Sequence, residues 1–218
     1  APAFRRFSFS LRDAGTLIGL IVIMAVFAAL VPGFISERNL VNILQQSSIN
    51  ACLALGMTLV IISGGIDLSV GPTAAISAVV TASLLVAGTP IPLAILAGLG
   101  VGVLCGFING ALVAYVGLQP FIVTLGTLSV FTAITLMLTG GSTVQGDDMP
   151  SWMTAAGTRV PVFGLDLNVG IIVVALIYLV VGYALGFTAW GRRVFAVGDA
   201  PEAARLAGIS VNRVLLSV

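Results

Sequence analysis

The sequence predicts an all-α, polytopic membrane protein: a bundle of six transmembrane helices with one short helix on the cytoplasmic side. Three observations lead there. Only 8% of the 218 residues are charged and 59% are hydrophobic, whereas roughly a quarter of a soluble domain is charged. So few charges cannot clothe a water-soluble fold of this length. Apolar runs near the ~20 residues needed to cross a bilayer occur six times. The runs are long and do not alternate in polarity as barrel strands do.

The first run, Ala14–Val31, is longer than a signal-peptide core and has no clear small-x-small cleavage site, so it reads as a retained span. Pro32-Gly33 ends it. The second, Ile49–Ser63, is short unless the polar approach Asn39–Ser48 enters the membrane as a broken or re-entrant helix. Gly64-Gly65 separates it from the third run, Ser69–Ala87, and Gly88 to Pro90 leads into the fourth, Ile91–Val116. Gly117 to Pro120 precedes the fifth, Phe121–Leu138. After Gly140-Gly141 a connecting loop runs to Asn168; within it Pro150–Ala156 suits either a small interfacial helix, with Trp152 at headgroup level, or an irregular connector. The sixth run is Val169–Phe187.

The fourth run carries Gly98, Gly102, Gly106 and Gly110 at close to one-turn spacing, a ladder that lets a neighbouring helix pack at short range. Cys52 and Cys105 lie far apart in apolar runs without metal spacing and read as buried small apolar residues. All nine basic residues are arginines. With six crossings, Arg5, Arg6, Arg12, Arg192, Arg193, Arg205 and Arg213 fall on one side, and Arg38 and Arg159 on the other. The basic side is cytoplasmic by the positive-inside rule, which places the amino terminus and the last loop there.

That loop, 188–213, holds a short helix with both ends written into the sequence. Asp199 is a good N-cap, and Glu202, three residues on, can close a capping box. Pro201 suits the first turn, and Gly208 supplies a left-handed stop. About two turns are too short to be stable alone. The small Ala203, Ala204 and Ala207 would admit another protein close to the backbone, so the segment reads either as a docking helix or as a capped connector.

Asp67 is the sole acidic residue between Asn39 and Leu138. An ionised Asp at the bilayer centre costs roughly 2.5–3.5 kcal/mol on insertion scales, so it needs a partner or water. Ser69 or the N–H groups opening the next helix are the candidates. Three readings stay open: a structural cap at the inner mouth, a group lining a permeation path, and a proton carrier. The polar approach (Asn39, Asn42, Gln45, Gln46, Ser47, Ser48, Asn50) suits either interhelical hydrogen bonds or contacts to a polyol, with Gln46 and Asn50 as path candidates.

The absent residue types exclude much chemistry. Without Lys there is no P-loop lysine and no Schiff base. Without His the usual zinc, haem and general-base options go too. No cofactor, nucleic-acid or nucleotide site is expected.

Several of these segments resemble one family. The run from Leu55 to Gly71, LGMTLVIISGGIDLSVG, looks very like the signature of ribose/xylose-type permeases of bacterial ABC sugar importers. Gln119 to Leu128, Gly140-Gly141 and Asn39 to Leu44 match as well. The segment Asp199–Gly208 is similar to the family's coupling helix, with Glu202-Ala203-Ala204 and a Gly six positions after the Glu. The resemblance implies that Asp199, Glu202, Ala203, Ala204, Arg205 and Gly208 couple to a cytosolic ABC ATPase subunit. It also implies a second permease copy, as homo- or heterodimer, and a periplasmic sugar-binding protein, all serving a monosaccharide crossing the inner membrane. Residues 1–218 are then a single permease domain and the front part of a protein of about ten spans.

Two classes compete with an importer subunit. A proton-coupled secondary transporter would work through Asp67, yet no second intramembrane carboxylate or His stands ready to relay. A membrane-embedded enzyme would need clustered nucleophile chemistry, and none is visible. Among related permeases, nucleosides and branched-chain amino acids are alternative cargoes.

Overall fold

The structure, a computed structural model, describes residues 11–142, 159–162 and 165–218. The chain falls into two compact units, residues 1–44 and 45–218. In the first, α1 (Leu11–Leu30) is followed by a turn in which the Phe34 ring stacks on Phe27, with centroids 5.5 Å apart. Asn39 Nδ2 donates to the Phe34 carbonyl at 2.7 Å and fixes the entry into α2 (Glu37–Ile62).

α2 is a single continuous helix of 26 residues, so the polar approach does not enter as a broken or re-entrant segment. Amides and hydroxyls hydrogen-bond water or neighbours without interrupting the i→i−4 ladder, which is why polarity alone does not break a helix here. Cys52 lies exposed on α2, against the expectation of burial, while Cys105 is buried.

In the second unit, α3 (Val70–Val86), α4 (Ile91–Ala111) and α5 (Pro120–Thr139) pack together. Their shared core is Ile76, Cys105 and Phe131. The glycine ladder seats α4 on α3: a Cβ at Gly98 would lie 2.9 Å from the Ser77 carbonyl oxygen, and one at Gly102 3.1 Å from Ser77 Oγ. Lower down, Gly110 makes room for Leu216 instead. α4 runs into a π-helical turn, Leu112–Val116, an i→i+5 winding frequently met at functional sites.

β1 (Arg159–Val162) and β2 (Leu165–Asn168) form an antiparallel hairpin with Arg159 opposite Asn168. The connecting loop thus departs from the all-α expectation by one short hairpin; the proposed helix at Pro150–Ala156 lies outside the described residues, as do Arg5 and Arg6. α6 (Val169–Phe187) follows, and its Tyr178 hydroxyl donates to the Ala51 carbonyl of α2 at 2.9 Å.

All six apolar runs are helical. Among the described residues, four helices are long and apolar enough to cross a membrane: α2, α4 with its π turn, α5 and α6. The described apolar part of α1, Leu17–Leu30, and α3 are shorter. Large apolar side chains such as Val103, Met137 and Leu179 stand exposed along these helices, as lipid-facing surfaces do.

The chain ends in three short helices: α7 (Ala189–Asp199), α8 (Pro201–Leu206) and α9 (Val211–Leu216). They close on a core of Val194, Val197, Ala204, Val211 and Val214. Thr188 caps α7, its Oγ1 accepting the Gly191 N–H at 3.2 Å.

Candidate functional site

The turn between α2 and α3 is built around Asp67. Its Oδ1 accepts two hydrogen bonds from one residue, the Ser69 N–H and the Ser69 hydroxyl, both at 2.7 Å. This is an Asx turn, in which the carboxylate imitates a backbone carbonyl and sets up the helix start. Ser69 is the N-cap of α3 by position, but no side chain accepts from the first-turn N–H groups of that helix; Asp67 instead holds the N–H of Ser69 itself. Asp67 therefore orients the helix entrance from outside the cap position, and each such charge-assisted bond is worth roughly 1.5–3 kcal/mol.

Ser69 is fully buried (0% exposed) and receives a third bond, from Asn109 Nδ2 of α4 at 2.8 Å. The single hydroxyl proton of Thr124 on α5 is shared between the Pro120 carbonyl at 2.8 Å and the Ile66 carbonyl at 3.2 Å. One turn is thus tied to three helices. Asp67 is half-buried and makes no ion pair among the described residues.

Beside this turn lies a cavity of about 620 Å³, within the range of small-molecule sites. The α2–α3 turn (Gly64 to Asp67) and α4 (Val103, Phe107, Asn109) form part of its wall. Pro120 and Thr124 add to it, and Val197, Gly198, Pro201, Val211 and Leu215 of the terminal helices complete it. Apolar walls with a few convergent polar groups are the usual lining of a small-molecule site. Among the described residues no three His, Cys, Asp or Glu side chains gather as a metal site would require.

The two sets of residues singled out from the sequence separate. Asp67 borders the cavity and Ser69 stands directly behind it, whereas Gln46 and Asn50 lie exposed on α2 and do not line it. Asn109 and Thr124 were missed. Asn109 had a signal, being the lone amide in the apolar run Ile91–Val116. Thr124 had none, because hydroxyls in membrane helices commonly bond their own backbone, as it also does.

The docking segment needs two corrections. Asp199 is the last residue of α7, not an N-cap, and Ala200 occupies the cap position of α8 without a side-chain bond. Pro201 is the cause: its ring drives the preceding residue out of the helical region, and Ala200 has φ −152° and ψ 86°. The break falls one residue later than the capping box required. Glu202 accordingly makes no capping box and faces Arg205 at 3.6 Å, both exposed.

Ala204 points inward (4% exposed) into the terminal core, so of the pair Ala203–Ala204 only Ala203 is open to a partner. The residue most open there was not anticipated: Leu206 is 91% exposed. Gly208 does adopt a left-handed conformation, φ +82°. Its N–H reaches the Arg205 carbonyl and the Ile209 N–H the Ala204 carbonyl, each at 3.0 Å, the pair of bonds of a Schellman stop.

The chain is 39% identical over 211 residues to a fructose import permease protein of Rhizobium meliloti, covering 93% of this chain and 58% of that one. It is 35% identical over 217 residues to a ribose import permease protein of Escherichia coli, covering 95% and 64%. A galactose/methyl galactoside import permease protein of the same organism is 35% identical over 224 residues, covering 95% and 66%. The chain therefore spans about three-fifths of the length of the curated relatives it matches. No solved structure matches it. Residues 39–218 match the family described as branched-chain amino acid transport system / permease component, and the chain belongs to that family of multi-pass membrane permeases.

Proposed function

We propose that this chain is the permeation subunit of a bacterial ABC importer, carrying a monosaccharide across the inner membrane with energy from ATP hydrolysed by a partner. The observation that carries the reading is the run of relatives named for fructose, ribose, allose and galactose, each aligned over 93–95% of this chain. The cavity adds support, because it is neutral apart from Asp67 and of a size for a small ligand. Six crossings with a cytoplasmic amino terminus would put the Asp67 turn, Pro120 at the start of α5 and helices α7–α9 on one side, and these border the cavity together with α4 from Val103 to Gly110. Segment 188–213 then serves as the coupling loop. Its exposed residues Glu202, Ala203, Arg205 and Leu206 would meet the cytosolic ATPase subunit. A periplasmic sugar-binding protein and a second permease copy complete the assembly. The chain itself binds no nucleotide in this reading.

The test is reconstitution. The full-length permease is placed in proteoliposomes with the ATPase and binding protein encoded beside it. ATP-dependent uptake of ribose, fructose, allose and galactose is then measured. Uptake of at least one sugar is expected. The family's description favours one other cargo class, so leucine belongs in the panel; uptake of leucine alone would replace the sugar reading. Uptake that ignores ATP and follows an imposed proton gradient would favour a secondary transporter acting through Asp67.

A further inference from the structure

The hydrogen bonds behind Asp67 run in one direction, and that direction has a consequence. Ser69 has a single hydroxyl proton, and it goes to Asp67 Oδ1. Ser69 Oγ can then only accept from Asn109, so Asn109 must turn its NH₂ toward it. The Asn109 carbonyl oxygen is left facing the other way, buried and without a partner among the described residues. An orphaned acceptor in a 7%-exposed side chain is unfavourable for the folded state, and such groups call for a reason other than stability. The reason here lies at the far end of the chain of bonds. Both donors of Ser69 converge on one oxygen of Asp67, which locks the carboxylate. Its second oxygen takes no hydrogen bond and no ion pair among the described residues, while the residue borders the cavity.

We propose that the second carboxylate oxygen of Asp67 is an acceptor site for a hydroxyl of the passing ligand, and that Asn109 is its positioning residue, acting through Ser69. The site rests on the import reading above and refines it, because it names the chemistry the cavity recognises: a neutral polyol presenting an O–H. An ionised carboxylate accepts such a bond about twice as strongly as a neutral group does. No cation competes for it among the described residues, and the other hydroxyls of the wall, Ser63, Thr124 and Ser217, already donate their protons to backbone carbonyls. Asn109 contributes by holding the donor chain in register, at the expense of its own unpaired carbonyl.

The experiment uses the full-length permease in nanodiscs without its partners, titrated with D-ribose, D-fructose and D-galactose and read by saturation-transfer NMR, which detects weak binding. Two variants separate the roles. Asp67→Asn must turn its remaining oxygen toward the two Ser69 donors and so presents an NH₂ to the cavity; the turn survives and the acceptor is lost. Asn109→Leu keeps the acceptor, removes the donor to Ser69 and also removes the orphaned carbonyl. At least one sugar is expected to bind the unaltered protein, with affinity roughly tenfold weaker in Asp67→Asn. Asn109→Leu should weaken it by about threefold, with an unfolding temperature unchanged or raised, which loss of a merely structural contact would not give. The double variant should be no weaker than Asp67→Asn alone, because the two act through one oxygen. Undiminished affinity in Asp67→Asn, or a fully additive double variant, would overturn the proposal. A permease that binds none of the sugars while its complete complex imports one would overturn this site and leave the import reading standing. Binding without import would support the site and sink that reading.

Discussion

Gly198 lies so close to the carbonyl oxygen of Ile62 that a Cβ added to it would collide with that oxygen and come within 3.2 Å of Ser63 Cα. Ile62 is the last residue of α2, a few residues before Asp67, and Gly198 is the penultimate residue of α7, just before the break into α8. The ends of two helices therefore meet backbone to backbone. A displacement of α8 has a direct steric route to the turn that carries Asp67, with no flexible side chain between to absorb it.

Gly198→Ala should separate these functions. The methyl group cannot be housed without a backbone shift, and overpacking of this kind costs about 1–3 kcal/mol. Co-purification with the ATPase subunit is expected to persist, since the exposed face of α8 is untouched. ATP-driven uptake should fall by about tenfold or more as the two helix ends are forced apart. Normal uptake in Gly198→Ala would show that the contact transmits nothing.

The docking surface gives a pair of opposite expectations. Leu206→Glu changes only an exposed side chain, so the permease should insert and keep its stability, while co-purification with the ATPase is lost. Ala204→Trp, by contrast, drives a large ring into the core of Val194, Val197, Val211 and Val214 and should lower stability whether or not a partner is present. Comparing yield and thermal unfolding of the isolated permease tells the two apart. An Ala204→Trp protein as stable as the parent would mean that α8 does not close on this core.

Helix positions and breakers were legible because most of the runs are apolar over about the length a bilayer demands; Ile49–Ser63 falls short of it, and its helix begins in the polar segment, at Glu37. Pro120 and Gly208 fall at the element boundaries where their backbone chemistry puts them. The helix α7 was not legible in the same way. Its apolar positions (Gly191, Val194, Val197) follow a helical spacing, but Arg192 and Arg193 between them read as a solvated loop. The inward face of Ala204 was hidden for a related reason: an alanine-rich helix has no strong polar face to say which side is out. At the Asp67 turn the sequence pointed to the carboxylate and to Ser69. It could not supply Asn109 as their partner, since 40 residues separate it from Ser69 and only the packing of α4 on α3 brings them together.

Topology is tested by single-cysteine labelling in a background lacking Cys52 and Cys105. Ser142→Cys, just beyond the end of α5, and Ala203→Cys, on α8, are separated by α6 as the one intervening long apolar helix among the described residues. Both positions are exposed. An impermeant maleimide should label Ser142→Cys from the outside of intact cells and Ala203→Cys only in inverted vesicles. Labelling of both from the same side would remove the six-crossing topology and the cytoplasmic placement of α8 together.

Gly208 offers the sharpest test of the segment's local architecture. With φ at +82° it occupies backbone space in which a β-branched residue is severely strained, and the two Schellman bonds that end α8 depend on that conformation. Gly208→Val is expected to cost about 1–3 kcal/mol and to lower the unfolding temperature of the permease by several degrees. Gly208→Asn should cost much less, because Asn tolerates the left-handed region. No added Cβ at this position meets a neighbour within 4 Å, so bulk alone does not explain a difference between the two variants. The expected order is therefore Gly, then Asn, then Val, in stability and in co-purification with the ATPase alike. If Val and Asn proved equally harmless, α8 would not need a left-handed stop, and the short helix would be a connector whose end can be redrawn without loss.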